Sequence, residues 1–283
     1  MQIRKAVITA ASPRQRTLPL HRLMDCDGVE RPVLRILLGH VRHAGIEDTA
    51  VVVHPGDEDA YREAAGADFR NITFLPQPEA RGYAHAVYCA REFAGGDAFL
   101  HMVSDHVYTC PGQSCAREIV ELAREEGCAV SAVQPTREAL LPQYGTVAGP
   151  RITSHTGVYR IDTVIEKPTP TEAEQRLIVA GLRGGYYLCF FGMHVFTAGL
   201  FEIIEGMLAG SDGLAGLSDA LAELARREQY LALISNGRRY DLGRRYGILT
   251  AELALGLHGP NATEVLSRVL EVVALRQPDR AHD

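Results

Sequence analysis

Two aspartates stand where an α/β chain keeps its ligand chemistry. Asp105 follows an apolar run over 98–103, and Asp241 follows another over 231–235. In an open parallel sheet, ligands lie beyond the carboxyl ends of the strands, so both acids reach toward the same place. Brought together there, two carboxylates suit Mg²⁺, a hard cation that keeps to oxygen ligands and bridges substrate phosphates. The plainer alternative makes Asp105 a helix or turn cap and Asp241 a solvated loop acid.

Glu166-Lys167-Pro168 is a second group. Its carboxylate can grip a sugar hydroxyl and its ammonium a phosphate, on a backbone stiffened by the proline. Taken alone, it reads equally as a surface charge pair. Gln77 and Gly82 form a third group. An amide can read a base edge with one donor and one acceptor, and a glycine lets the backbone come close. Nearby His85 reads as a packed or capping histidine rather than a ligand. The fourth group is the loop after the first strand, with Ala10, Ala11, Ser12, Pro13, Arg14 and Arg16. It has the placement of a nucleotide-binding turn without the usual glycines. Pro13 removes one amide donor, and Arg14 could supply charge in its place.

The elements that must hold these groups alternate. Strand patterns at 5–9, 49–53, 72–75, 98–103 and 129–133 are separated by helix patterns at 32–44, 58–65, 84–93 and 115–126. That βαβ rhythm predicts a Rossmann-like, mostly parallel sheet flanked by helices, an α/β fold with right-handed crossovers. Past Pro135 the rhythm loosens into strands at 144–150, 158–165 and 186–196, a small β-rich lobe. Helices follow at 198–208 and 217–227, a strand at 231–235, and closing helices at 245–257 and 264–275. The expectation is one domain over 1–283: a nucleotide-binding half (1–135), a sugar-binding half (136–257) and a C-terminal helix (258–283).

Composition narrows the class. The 283 residues are 46% hydrophobic and 23% charged, ordinary for a globular protein, and the net charge of −6 argues against a nucleic-acid polymer as partner. No apolar run approaches the roughly 18 residues of a membrane span, and no signal-peptide core opens the chain. Six cysteines without C-x-x-C spacing read as buried thiols in a reducing compartment, so a cytoplasmic protein is expected.

The motifs also come in a recognisable order. Lys5-Ala6-Val7-Ile8, Arg16-Thr17-Leu18-Pro19, Gln77 with Gly82-Tyr83-Ala84-His85, and Ser104-Asp105 precede Tyr144-Gly145-Thr146-Val147. Then come Glu166-Lys167-Pro168 and Tyr240-Asp241-Leu242-Gly243. In this order the chain resembles the sugar-1-phosphate nucleotidyltransferases, and among them the bacterial UTP–glucose-1-phosphate uridylyltransferases, from about residue 5 to 256. The resemblance implies their fold and in-line attack of a sugar phosphate oxygen on the α-phosphorus of a nucleoside triphosphate, UTP first. It implies Mg²⁺ on Asp105 and Asp241, with Arg16 neutralising the triphosphate and Lys167 the sugar phosphate. Glu166 and the Gly145 backbone would orient the sugar. Ala10, Ala11, Ser12, Arg14, Gln77 and Gly82 would face the nucleotide, in a homo-oligomer joined through C-terminal helices.

Three departures stand out against that pattern. The two loop glycines of the family align with Ser12 and Arg14. The lysine of a Pro-Lys-Glu motif has no counterpart in the shortened stretch 20–32, where neither Arg22 nor Arg31 aligns. Leu214 and Gly216 replace a Glu and a Gln, ahead of the retained Ser218 and Asp219, which points to a sugar other than glucose. A catalytically silent relative that binds a sugar nucleotide or phosphosugar, as a sensor or assembly subunit, is the alternative. A Rossmann oxidoreductase is disfavoured because no G-x-G-x-x-G follows the first strand.

Overall fold

Strand β1 (Ile3–Thr9) is buried over most of its length, as a central parallel strand covered on both faces must be. The computed structural model describes residues 1–112, 114–210 and 216–275. After β1, a short antiparallel ribbon of β2 (Arg22–Met24) and β3 (Glu30–Pro32) leads into α1 (Val33–His43). That helix turns Val33, Leu34, Leu37, Leu38 and Val41 to the core at helical spacing. Next come β4 (Asp48–Val53), α2 (Glu58–Ala65), β5 (Ile72–Pro76), α3 (Tyr83–Tyr88), α4 (Arg91–Ala94) and β6 (Ala98–Val103). The first half closes with β7 (His106–Thr109), α5 (Cys115–Glu126) and β8 (Ala129–Arg137).

The second half runs β9 (Gly145–Ala148), β10 (Val158–Arg160), β11 (Thr163–Glu166), α6 (Pro170–Arg176) and β12 (Tyr186–Phe196). It ends with α7 (Gly199–Leu208), α8 (Leu217–Arg227), β13 (Tyr230–Ile234), β14 (Arg238–Asp241), α9 (Gly247–His258) and α10 (Ala262–Ala274).

One sheet runs through both halves in the order β10-β13-β8-β12-β6-β1-β4-β5, with β9 added against β12 and β11 against β9. Along that path β5, β4, β1, β6, β8 and β13 point one way, and only β12 and β10 oppose them. The mostly parallel sheet is as expected. Apolar side chains fill both of its faces, Leu37, Ile119 and Phe191 on one, Phe99, Phe201 and Leu221 on the other. Among the described residues no helix is long and apolar enough to cross a membrane.

Several local readings need correction. The helix expected over 84–93 is two, because Ala90 leaves helical geometry (φ −91°, ψ 6°) between α3 and α4. The strand expected over 158–165 is also two. β10 pairs with β13 while β11 pairs with β9, so the chain changes partner at Ile161 and Asp162. Asp241 does not follow the main-sheet strand β13; it ends β14, which pairs with β7 in a separate two-stranded ribbon. The cysteines are not all thiols. Cys110 and Cys115 form a disulfide from the end of β7 to the start of α5, where the chain turns back to a Cα separation of 6.0 Å. Cys128 and Cys189 are buried thiols, whereas Cys26 and Cys89 are only half-buried.

Candidate active site

Beyond the carboxyl ends of β1 and β6 lies a cavity of about 650 Å³. The loop after β1 forms one wall, through Ala10, Ala11, Ser12 and Gln15. Gln77 and Gly82 stand on another, Asp105 and Asp241 at a third, and Gly145, Glu166 and Lys167 close the far side. Residues drawn from six separate segments thus share one space.

The acidic pair rests on the ribbon of β7 and β14. Asp241 stands opposite His106 in the register, and the Leu242 amide donates to the Asp105 carbonyl at 2.8 Å. The Asp105 carboxylate is held from both sides. His106 Nδ1 lies 2.6 Å from Oδ1, and Gln15 Nε2 donates to Oδ2 at 2.8 Å. Burial pushes this carboxyl up, but His106 beside it, the backbone and Gln15 outweigh that and leave it below its usual value. It is a carboxylate at neutral pH. Asp241 Oδ1 accepts from the Gly243 amide at 2.9 Å, and Arg244 Nε stands 3.9 Å from Oδ2.

Among the described residues no group of three or more His, Cys, Asp and Glu could hold a metal ion. Two carboxyl oxygen donors still fit Mg²⁺, which takes one or two carboxylates and fills its octahedron with waters and substrate phosphates. The donor chemistry fits; the protein alone offers only part of a shell.

In the first loop, the amides of Gln15 and Arg16 both donate to the Ser12 carbonyl, at 3.0 and 2.8 Å. Those two donors, and the one Pro13 lacks, are spent before any phosphate arrives. The Tyr61 hydroxyl shares its proton between the Arg16 carbonyl at 2.7 Å and the Ala10 carbonyl at 3.3 Å. Arg16 itself turns from the cavity: its guanidinium donates to both Asp57 oxygens, at 3.1 and 3.2 Å, and meets His54. Arg14 is exposed on the outside of the loop and is not part of the cavity wall.

On the far side, Gly145 pairs with Glu166 across β9 and β11. Glu166 Oε2 accepts from the Ser218 hydroxyl at 2.6 Å, and Lys167 Nζ lies 3.7 Å from Oε1. A Cβ on Gly145 would stand 2.8 Å from Phe190 and 3.0 Å from both Glu166 Oε2 and Ser218 Oγ, so only glycine fits there. Lys167 has φ 47°, left-handed backbone that a side chain rarely adopts, and it precedes Pro168, which also disfavours helical geometry. Such strain persists where surrounding structure holds it, and here the Lys167 amide is tied to the Tyr144 carbonyl.

At the remaining wall, Gln77 is 8% exposed and its amide nitrogen donates to the Gly82 carbonyl at 3.2 Å. Gly82 has φ 98° where α3 begins. His85 is buried, with Nδ1 beside Gln77 and the Glu79 carbonyl, the packed histidine that its sequence context indicates. Ser218 and Asp219 line the cavity; Leu214 and the stretch 211–215 lie outside the described residues.

Sequence reasoning passed over Gln15 and His194, which also line this space. A lone amide in a loop and a lone histidine in an apolar strand carry no pattern of their own. The tyrosine of the Tyr144-Gly145 turn carries no such signal either. Arg239 stands over its ring, 3.8 Å from the centroid, and Arg244 is 5.7 Å away.

The fold and cavity define an open α/β protein with its ligand site at the strand ends and a carboxylate pair set against an acid–base pair. Comparison with known proteins places it more narrowly. The chain belongs to the nucleotidyl transferase family, whose match spans residues 21–256. The altered loop at 10–19 lies outside that match. Among curated relatives, the UTP–glucose-1-phosphate uridylyltransferase YngB of Bacillus subtilis is 26% identical over 98% of this chain and 97% of its own. UTP–glucose-1-phosphate uridylyltransferase 2 of Staphylococcus saprophyticus is 26% identical, covering 90% of this chain and 93% of its own. Among solved structures, UTP-bound UGPase from Acinetobacter baumannii superposes with a TM-score of 0.73 at 21% identity, covering 96% of this chain and all of the other. A UDP-glucose pyrophosphorylase complexed with UDP-glucose gives 0.72 at 20% identity over 89% of this chain and 98% of its own. At such identities the structural likeness establishes the fold.

Proposed function

We propose that this chain transfers a nucleotidyl group from a nucleoside triphosphate, UTP first, to a sugar 1-phosphate, giving a nucleotide sugar and pyrophosphate. The observation that carries the reading is the one cavity that gathers Asp105, Asp241 and the Glu166-Lys167 pair from three separate segments. The names of the curated relatives support uridylyl transfer to glucose 1-phosphate, and none of them favours a binding-only role.

In the proposed reaction a phosphate oxygen of the sugar 1-phosphate attacks the α-phosphorus, and the bond to the bridging α–β oxygen breaks. The electron pair leaves with pyrophosphate. Such a transfer asks the protein for positioning and charge neutralisation rather than covalent chemistry. Lys167 neutralises the sugar phosphate, while Glu166, fixed by Ser218, accepts from sugar hydroxyls. Gln77, Gly82, Ala10, Ala11 and Ser12 bound the nucleotide. Asp105 and Asp241 would hold Mg²⁺, which when bound supplies positive charge against the phosphate oxygens. Residues 1–135 would serve the nucleotide and 136–257 the sugar, within one cytoplasmic catalytic unit. Arg14 is assigned to the triphosphate from outside the cavity, and Arg16 after release from Asp57.

A homo-oligomer fits the surface of α10. The helix has no buried residue, and Leu266, Leu270 and Val273 recur at helical spacing while 47–62% exposed, an apolar stripe suited to a second copy.

The reading is tested by pyrophosphate release with Mg²⁺, crossing the nucleoside triphosphates with a panel of sugar 1-phosphates. Release with one pair is expected. Silence from folded protein that still binds a nucleotide sugar would select the sensor instead.

A further inference from the structure

On the cavity floor, β12, β8 and β13 carry a buried polar chain that the assignments above leave unused. His194 in β12 lines the cavity and is 3% exposed. Its ring meets Phe190 edge-on with centroids 5.2 Å apart, and Phe190 is the side chain nearest a Cβ on Gly145. His194 therefore sits under the sugar end. Its Nδ1 lies 2.5 Å from the Ser131 hydroxyl in β8, and Ser131 in turn bonds the hydroxyl of Tyr230 in β13. Ser131 and Tyr230 are fully buried.

Counting protons fixes the direction of this chain. Tyr230 has no other hydrogen-bond partner among the described residues, so its buried proton goes to Ser131 Oγ. Ser131 Oγ has no other acceptor among the described residues, so its own proton is satisfied only at His194 Nδ1, which is then the accepting nitrogen. A neutral imidazole with a bare Nδ1 carries its hydrogen on Nε2. The ring stays neutral, since burial and then neighbouring His101 hold it well below the usual histidine value. Nε2 has no partner among the described residues. Among the described residues the enclosed polar atoms without a partner are His101 Nδ1, Glu118 Oε2 and Arg239 Nε, so His194 Nε2 is not enclosed. It opens on the cavity.

We propose that the His194 Nε2–H is a fixed hydrogen-bond donor to one oxygen of the sugar 1-phosphate and helps decide which sugar is accepted. The proposal rests on the transferase reading above. Ser131 and Tyr230 are positioning residues that set the tautomer. A neutral donor in a buried wall discriminates by geometry, because an analogue lacking the matching oxygen leaves the N–H unpaired.

The test compares wild type with His194→Phe, which keeps a ring and removes the donor. The KM for the sugar 1-phosphate should rise about tenfold, the scale of one lost hydrogen bond, with the triphosphate KM unchanged and the melting temperature lowered because Ser131 loses its acceptor. A series of monodeoxy sugar 1-phosphates should contain one that both proteins use equally, naming the oxygen read. Long-range ¹H–¹⁵N correlation on the wild type should show His194 as the Nε2–H tautomer, a readout that needs no turnover. An Nδ1–H tautomer, an unchanged sugar-phosphate KM, or an equal loss with every deoxy analogue overturns the proposal. If the wild type turns over no pair, the transferase reading fails by itself. The donor role is then decided by the affinity of the two proteins for a nucleotide sugar, equal values rejecting it. Should His194→Phe not fold, His194→Gln, which retains an N–H donor, should lose less sugar affinity than His194→Ala; equal losses reject the role.

Discussion

Asp241 closes its strand directly opposite His106, whose Nδ1 lies 2.6 Å from the Asp105 carboxylate. The register of one short ribbon therefore fixes both acids at once. A slip of one residue would turn one of them to the other face.

Asp105→Asn keeps the shape of this arrangement and removes a charge. Turnover should fall by about 10²–10³, the cost typical of losing one electrostatic element of a transition state, with the fold unchanged by circular dichroism. Asp241→Asn should do the same, and chelation of divalent metal should abolish pyrophosphate release from the wild type. Turnover that survives Asp105→Asn rejects the metal assignment.

Gly145→Ala tests the far wall. The new methyl would crowd Phe190, Glu166 and Ser218 together. Sugar 1-phosphate binding should weaken at least tenfold, roughly the 1.4 kcal/mol equivalent, while triphosphate binding holds. An equal loss for both substrates would show a general collapse of the cavity rather than displacement of Glu166.

Acid should destabilise the protein through His101. Its pKa is lowered to about 3 by burial. The folded state holds the ring neutral while the unfolded chain takes up a proton below about pH 6.5. The contribution is complete above that pH and is lost as pH falls from there toward 3, amounting to about 2 kcal/mol by pH 5. The melting temperature of wild type should drop between pH 6.5 and 5 more steeply than that of His101→Phe. Parallel curves would show that the histidine is not the titrating group.

Arg14 and Arg16 should part company. Arg14→Ala should weaken triphosphate binding by about 1.5–3 kcal/mol, the scale of a charged hydrogen bond, and leave stability alone. Arg16→Ala should lower the melting temperature, because it breaks the link to Asp57 and His54. Unchanged triphosphate affinity in Arg14→Ala removes that residue from the site.

Periodicity made much of the scaffold legible. Residues 58–65, 98–103, 115–126, 186–196 and 217–227 stand where their apolar spacing places them, because burial on one face leaves a strong period. The ribbon of β7 and β14 was hidden. Its strands are four residues each, and they pair across more than a hundred positions, which no local window can see. The same limit hid the partners of the site residues. Asp105 is visible as an acid after a strand; that Gln15 and His106 clasp it is a fact of tertiary contact. Arg16 shows the converse, since a motif supplied its residue type but Asp57, on another element, decides where its guanidinium points.

Tyr61 ties the two ends of the altered first loop to α2 through one shared proton. A loop already ordered in this way gives up little freedom when a ligand arrives, so more of each contact appears as affinity. Glycines offer a loop the choice of many shapes; this one has made its choice in advance. On the proposed reading, the consequence is a loop of narrow tolerance, which would penalise a nucleotide whose phosphates do not match the shape already set.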